Sequence, residues 1–139
     1  MRTKLTLTTA AALGAVSLAL TTATPANAET TSGTVGCNTS GAHGEYRYSN
    51  YHGPDATVTI NFTLTDTAAD GNSVRVRMIS MDTHGAVTSY PWRVNSGGYL
   101  STSEWQTTAS NRGGLFDIGI EVARANKDGS IRNFCTRWV

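Results

Sequence analysis

Charged side chains are few in this chain, 15% of its 139 residues, and neither sign prevails: eleven Lys and Arg stand against ten Asp and Glu. With no basic run and no acidic tail, nothing marks a surface for nucleic acid or an anionic membrane. Cysteine is scarcer still. Cys37 and Cys135 are the only two, too few for a zinc site without well-spaced histidines and too far apart for a Cys-x-x-Cys redox pair. The Gly-x-Ser-x-Gly, His-Glu-x-x-His, Ser-x-x-Lys and Walker-type patterns are missing as well, which removes the familiar hydrolase and nucleotide-binding signatures. After residue 28 there is neither a long apolar run nor a sustained 3.6-residue period, so a membrane anchor and a helical core are both unexpected.

What is present begins with a secretory leader. Arg2 and Lys4 give a positive start, residues 10–20 an apolar segment too short for a stable span, and Ala26-Asn27-Ala28 a small-x-small cleavage site. Cleavage is expected between Ala28 and Glu29. That leaves one domain, residues 29–139, as a soluble extracellular monomer. Losing Arg2 and Lys4 leaves nine basic against ten acidic side chains, a net charge of −1. In an oxidising setting the even cysteine pair is expected to form a disulfide between the first strand and the last. Closing a loop of 98 residues removes unfolded-state entropy worth about 4–5 kcal/mol, comparable with the whole net stability of a small domain.

Period-two patterns dominate the rest. Val58, Ile60, Phe62 and Leu64 alternate with Thr59, Asn61, Thr63 and Thr65, placing an apolar row inward and a threonine-rich row outward. Val74, Val76 and Met78 alternate with Arg75 and Arg77, and Phe116, Ile118, Ile120 and Val122 lie opposite Asp117, Glu121 and Ala123. Weaker strand patterns cover residues 45–49, 86–94, 99–108 and 130–138, with residues 29–34 a mobile polar lead-in to a first strand from Val35. Glycine-bearing separators such as Asp70-Gly71, His84-Gly85 and Asp128-Gly129 supply turn chemistry. About seven strands at this spacing predict an all-β domain, an antiparallel β-sandwich or flattened barrel.

Candidate chemistry is thin, and no catalytic residue and no cofactor is expected. His43 and Glu45, and Asp82 and His84, each pair an imidazole with a carboxylate two residues away, but both sit beside glycine in probable turns. Asp66 and Asp70 fall at the first and fifth places of a calcium-loop pattern, yet Ala68 occupies the third and Arg77 the twelfth. That leaves a weak calcium candidate against the simpler reading of aspartates capping a hairpin. The aromatic residues are the best pointer to binding, because a flat ring stacks on the apolar face of a sugar while nearby polar groups take its hydroxyls. Tyr46, Tyr48, Tyr51 and His52 cluster within seven residues, and Trp105 stands in a Ser, Thr, Glu and Gln segment. These five are the candidate ligand platform. Tyr90, Trp92 and Val94, and Phe134 and Trp138, alternate together and are expected in the core. Arg112, in Ser110-Asn111-Arg112-Gly113-Gly114, is the residue that would enter a trypsin-like pocket, although the two glycines argue against a rigid inhibitory loop. Asn38 and Asn61 fit the glycosylation acceptor pattern, discounted because the leader looks bacterial and Asn61 lies mid-strand.

The run from Asp66 to Arg77, together with the ending Cys135-Thr136-Arg137-Trp138, resembles small uncharacterised secreted actinobacterial proteins. The resemblance implies export, fold and disulfide, and carries no function with it. The expectation is therefore a secreted, disulfide-tethered, non-catalytic β domain that binds an extracellular or cell-wall polysaccharide. The alternative is an extracellular protein-binding factor or hydrolase inhibitor, and the third reading a small secreted hydrolase.

Overall fold

The strongest alternation in the sequence becomes β3 (Val58–Asp66), whose Val58, Ile60, Phe62 and Leu64 are all buried. The computed structural model describes residues 31–139, so the expected leader and its Ala28–Glu29 cleavage lie outside the described residues. In chain order the strands are β1 (Thr31–Thr39), β2 (Ala42–Tyr51), β3, β4 (Ser73–Met81), β5 (Val87–Ser89), β6 (Arg93–Asn95), β7 (Thr102–Ala109), β8 (Asp117–Ala125) and β9 (Ile131–Trp138). They form two antiparallel sheets, ordered β1-β2-β3-β7 and β5-β4-β8-β9, with β6 also on β4. The sheets pack face to face as a β-sandwich. Residues 31–34, expected as a lead-in, are already strand: Gly33 and Thr34 pair with Tyr48 and Arg47.

The core lies between the inward rows. From the first sheet come Val35, Cys37, Tyr46 and the β3 row; from the second, Val74, Val76 and Met78 with Ile118, Ile120 and Val122. At Gly44 the layers come close: a Cβ there would meet Val122 Cγ2 at 2.5 Å. At one edge Cys37 on β1 and Cys135 on β9 form the disulfide, with their Cα atoms 6.1 Å apart. The bond joins the two sheets through the first strand and the last. Among the described residues no helix is long and apolar enough to cross a membrane.

Two expected core rows break. β5 pairs with Ile79–Met81 and β6 with Val74–Val76, so the two short strands are halves of one edge line on β4. The line is interrupted at residues 90–92, where Pro91 lacks the N–H a ladder needs. Tyr90 packs against the core, whereas Val94 is 45% exposed and Trp92 turns to the outer face. Phe116 precedes β8 and is 64% exposed. Its backbone N–H donates to Met81 O at 2.8 Å, and it falls out of the row of Ile118, Ile120 and Val122.

Candidate functional site

Tyr46 and Tyr48 share a face of β2, as their spacing requires, but the face is the inner one. Tyr46 stands opposite Val35 and Phe62 and is fully buried. Its ring meets Phe62 edge-on at 5.6 Å and 83°, and Tyr48 at 6.1 Å and 76°. Tyr48 in turn meets Tyr51 at 6.2 Å and 83°. Such edge-to-face contacts stabilise a core and leave no coplanar pair for a sugar. Tyr48 lies over Gly33, where a Cβ would come within 2.6 Å of the phenol oxygen, and the Tyr51 hydroxyl donates to Phe116 O at 2.8 Å. The expected tyrosine platform is thus an internal ladder, because the β2 row faces the second sheet. His52 is exposed in the turn after β2. The Tyr46 hydroxyl has no hydrogen-bond partner among the described residues; burial, then the neighbouring Tyr48, Asp117 and Tyr51, pushes its pKa far above the usual phenol value. Burial followed by Asp117 raises Tyr51 too.

Trp105 on β7 pairs with Phe62 in the inward row and packs, half-buried, against the core. It also borders a groove of about 350 Å³ on the outer face of the first sheet, lined by Arg47, Asn61, Glu104 and Gln106. That face is the threonine-rich row foreseen from β3, and what it offers is mainly polar.

The exposed aromatic surface lies on the other sheet. Cys135 must point between the layers to reach Cys37, so its neighbour Phe134 points away, and Trp138 follows it. Phe134 is 62% exposed. The row beneath is small: Phe134 is paired with Ala123, and Trp138 sits on Gly119, where a Cβ would meet its ring at 2.9 Å. Arg77 of β4 pairs across with Glu121 of β8, its Nε donating to Glu121 Oε2 at 2.5 Å and its Nη2 2.5 Å from the same oxygen. The Trp92 ring covers this guanidinium 4.3 Å away, a cation–π contact that orients the ion pair. Trp92, Phe134, Ile131, Arg77 and Glu121 enclose a groove of about 180 Å³. That is below the roughly 300–1,000 Å³ of enclosed small-molecule sites. Trp92, Phe134 and Trp138, expected in the core, therefore lie outside it. Cys135 carried the signal for two of them: once it is paired with Cys37, alternation puts Phe134 and Trp138 on the opposite face.

The remaining candidates have structural employment. Asp82 accepts the backbone N–H groups of His84 at 2.8 Å and Ala86 at 2.9 Å, and these amides hold its carboxyl below the ordinary range. Its partner is the turn, not the His84 ring. His43 and Glu45 share the outer face of β2, and His43 Nδ1 contacts Asn38 Oδ1. Asp66 and Asp70, the weak calcium candidate, have protein contacts of their own. Asp70 forms an ion pair with Arg124, Asp66 accepts the Ala68 N–H at 3.0 Å, and among the described residues no group of three or more His, Cys, Asp or Glu could hold a metal ion. At Asp70 the positive charge is the Arg124 guanidinium. Arg112 is exposed in a turn closed by Gly114 N–H to Asn111 O at 3.0 Å. Asn111 braces it further through Ser80 and Thr88. The loop is firmer than its glycines suggest, but it holds Arg112 in a tight turn where a protease cleft takes an extended segment.

Compared with known proteins, the chain matches no family model, no curated protein and no solved structure.

Proposed function

We propose that the chain works outside the cell as a non-catalytic binding module that holds a polysaccharide against the outer face of its second sheet. The observation that carries this reading is the groove between Trp92 and the exposed Phe134, floored by the Arg77–Glu121 pair. Aromatic walls with a few fixed polar groups are what a sugar ring requires: carbon–hydrogen faces stack on the rings, and hydroxyls meet the charges. The leader and the disulfide suit an extracellular address. The test is affinity electrophoresis and calorimetry of the mature protein on a broad panel of wall and extracellular polysaccharides. Retention by at least one polymer, lost in Phe134→Ala while melting is unchanged, is the expected result. Indifference to the whole panel overturns the reading.

A second reading, a protein-binding factor, draws on one specific feature. Tyr99 and Leu100 are 56% and 66% exposed, and Leu100 is held at φ 62°, a region costly for a branched side chain. The loop is braced by the buried Asn95, whose amide donates to Leu64 O and Ser101 O and whose Oδ1 accepts from Gly97 N–H and Ser101 Oγ. An apolar tip on a braced loop suits a protein surface. Leu100→Gly removes that tip and leaves polysaccharide binding intact if the first reading holds.

A further inference from the structure

The geometry points to a neutral sugar with adjacent free hydroxyls, rather than a uronic acid or an amino sugar, as the ligand of the aromatic groove. This inference rests on the polysaccharide reading above and specifies its chemistry. The ion pair is lopsided. Arg77 uses Nε and Nη2 on the single oxygen Glu121 Oε2, and its Nη1 makes no hydrogen bond among the described residues. Glu121 Oε1 receives only the Thr136 hydroxyl, at 3.4 Å, a long contact that leaves the oxygen open to a better donor. The groove therefore presents one charged donor and one charged acceptor side by side, both partly solvent-accessible with 24% and 17% of their side chains exposed. A pair of neighbouring hydroxyls answers both: one accepts from Arg77 Nη1, and the next donates to Glu121 Oε1. Charge-assisted bonds of this kind are about twice as strong as neutral ones.

The same arrangement selects against charge. Arg77 is already engaged on Glu121 Oε2, so an incoming carboxylate meets the open Oε1 of Glu121 at close range and gains only the Nη1 contact in return. An ammonium meets Arg77 in the same way. The Trp92 ring covers the guanidinium carbon at 4.3 Å, which hinders the arginine from swinging out to serve an anion alone. Selectivity then comes from repulsion of the wrong ligand as much as attraction of the right one.

The experiment is calorimetric titration of the mature, disulfide-bonded protein with hexaoses of glucose, mannose and galactose, with hexagalacturonate, with hexaglucosamine, and with a 2,3-di-O-methyl glucose hexaose. At least one neutral hexaose is expected to bind about tenfold or more tightly than either charged oligomer, and methylation of the adjacent hydroxyls to cost about tenfold, the worth of one charge-assisted bond. In Glu121→Gln the preference over hexagalacturonate shrinks. A charged oligomer binding as tightly as the best neutral one, an unaffected methylated sugar, or an unchanged preference in Glu121→Gln overturns this inference while leaving the polysaccharide reading in place. Silence from every oligomer, together with silence from the polymer panel, overturns the polysaccharide reading itself. The wild-type comparison needs no variant, and it decides the matter if Glu121→Gln fails to fold.

Discussion

Two groups of aromatic side chains sit on opposite sides of the same sandwich wall. Tyr46, Tyr48 and Tyr51 interlock edge to face between the sheets, whereas Phe134 and Trp138 lie on the outer face of the second sheet, with Trp92 beside them. In sequence the first group looks like a surface patch, with Arg47 and Asn50 among its members, and the second like a core row. What separates them is the small residues on the face each ring occupies. Gly44 lies in the Tyr46 row and lets the sheets close on Val122. The row under Phe134 and Trp138 is Ala123 and Gly119, which receives their rings from outside. A ring finds its place where small residues make room for it.

The disulfide fixes which parity of β9 faces inward, so its loss is the largest perturbation of this contrast. Replacing Cys37 and Cys135 with serine should lower stability by about 4–5 kcal/mol, read by denaturant unfolding; melting that is indifferent to reductant would contradict the tether. Next comes a direct test of inside against outside. Tyr46→Ala empties a fully buried site and should cost about 3–5 kcal/mol, while Phe134→Ala, at a position 62% exposed, should cost under about 1 kcal/mol. Equal losses would erase the distinction.

Alkaline titration sharpens it further. The Tyr46 pKa is raised in the folded chain, so the folded state keeps a proton that the unfolded state releases above about pH 10. Stability is therefore complete below that pH and falls above it, approaching about 1.4 kcal/mol per pH unit while Tyr46 alone remains protonated only in the fold. Tyr46→Phe should remove most of that decline and, by deleting a buried hydroxyl with no partner, cost little at neutral pH. A decline of undiminished slope in Tyr46→Phe would assign it elsewhere. The smallest effect is at Leu100. Leu100→Gly should raise stability by up to about 1 kcal/mol by relieving the left-handed backbone, detectable as a higher melting temperature with unchanged polysaccharide affinity.

Where both neighbours of a strand are present and one face is buried, the sequence could be read directly. The rows of β3 and β4 run as their alternation says, and two cysteines near the ends of residues 31–139 were enough to join β1 to β9. The edges were harder. β5 and β6 share one edge line only because Pro91 breaks it, and alternation read straight through residues 90–94 places Trp92 and Val94 on the wrong side. β9 is bounded by β8 alone, so its parity is set by a long-range bond rather than by its own pattern. Asp70 also exceeded local reading, since its cation is Arg124, more than fifty positions away and delivered by β8.

The most direct test follows the three indole N–H signals of the isotopically labelled protein by NMR during titration with the best-binding neutral hexaose. The account predicts that the Trp92 signal shifts in proportion to occupancy while Trp105, on the inward row of the first sheet, stays in place. Movement of Trp105 with Trp92 unaffected would put the ligand on the other sheet and contradict the account.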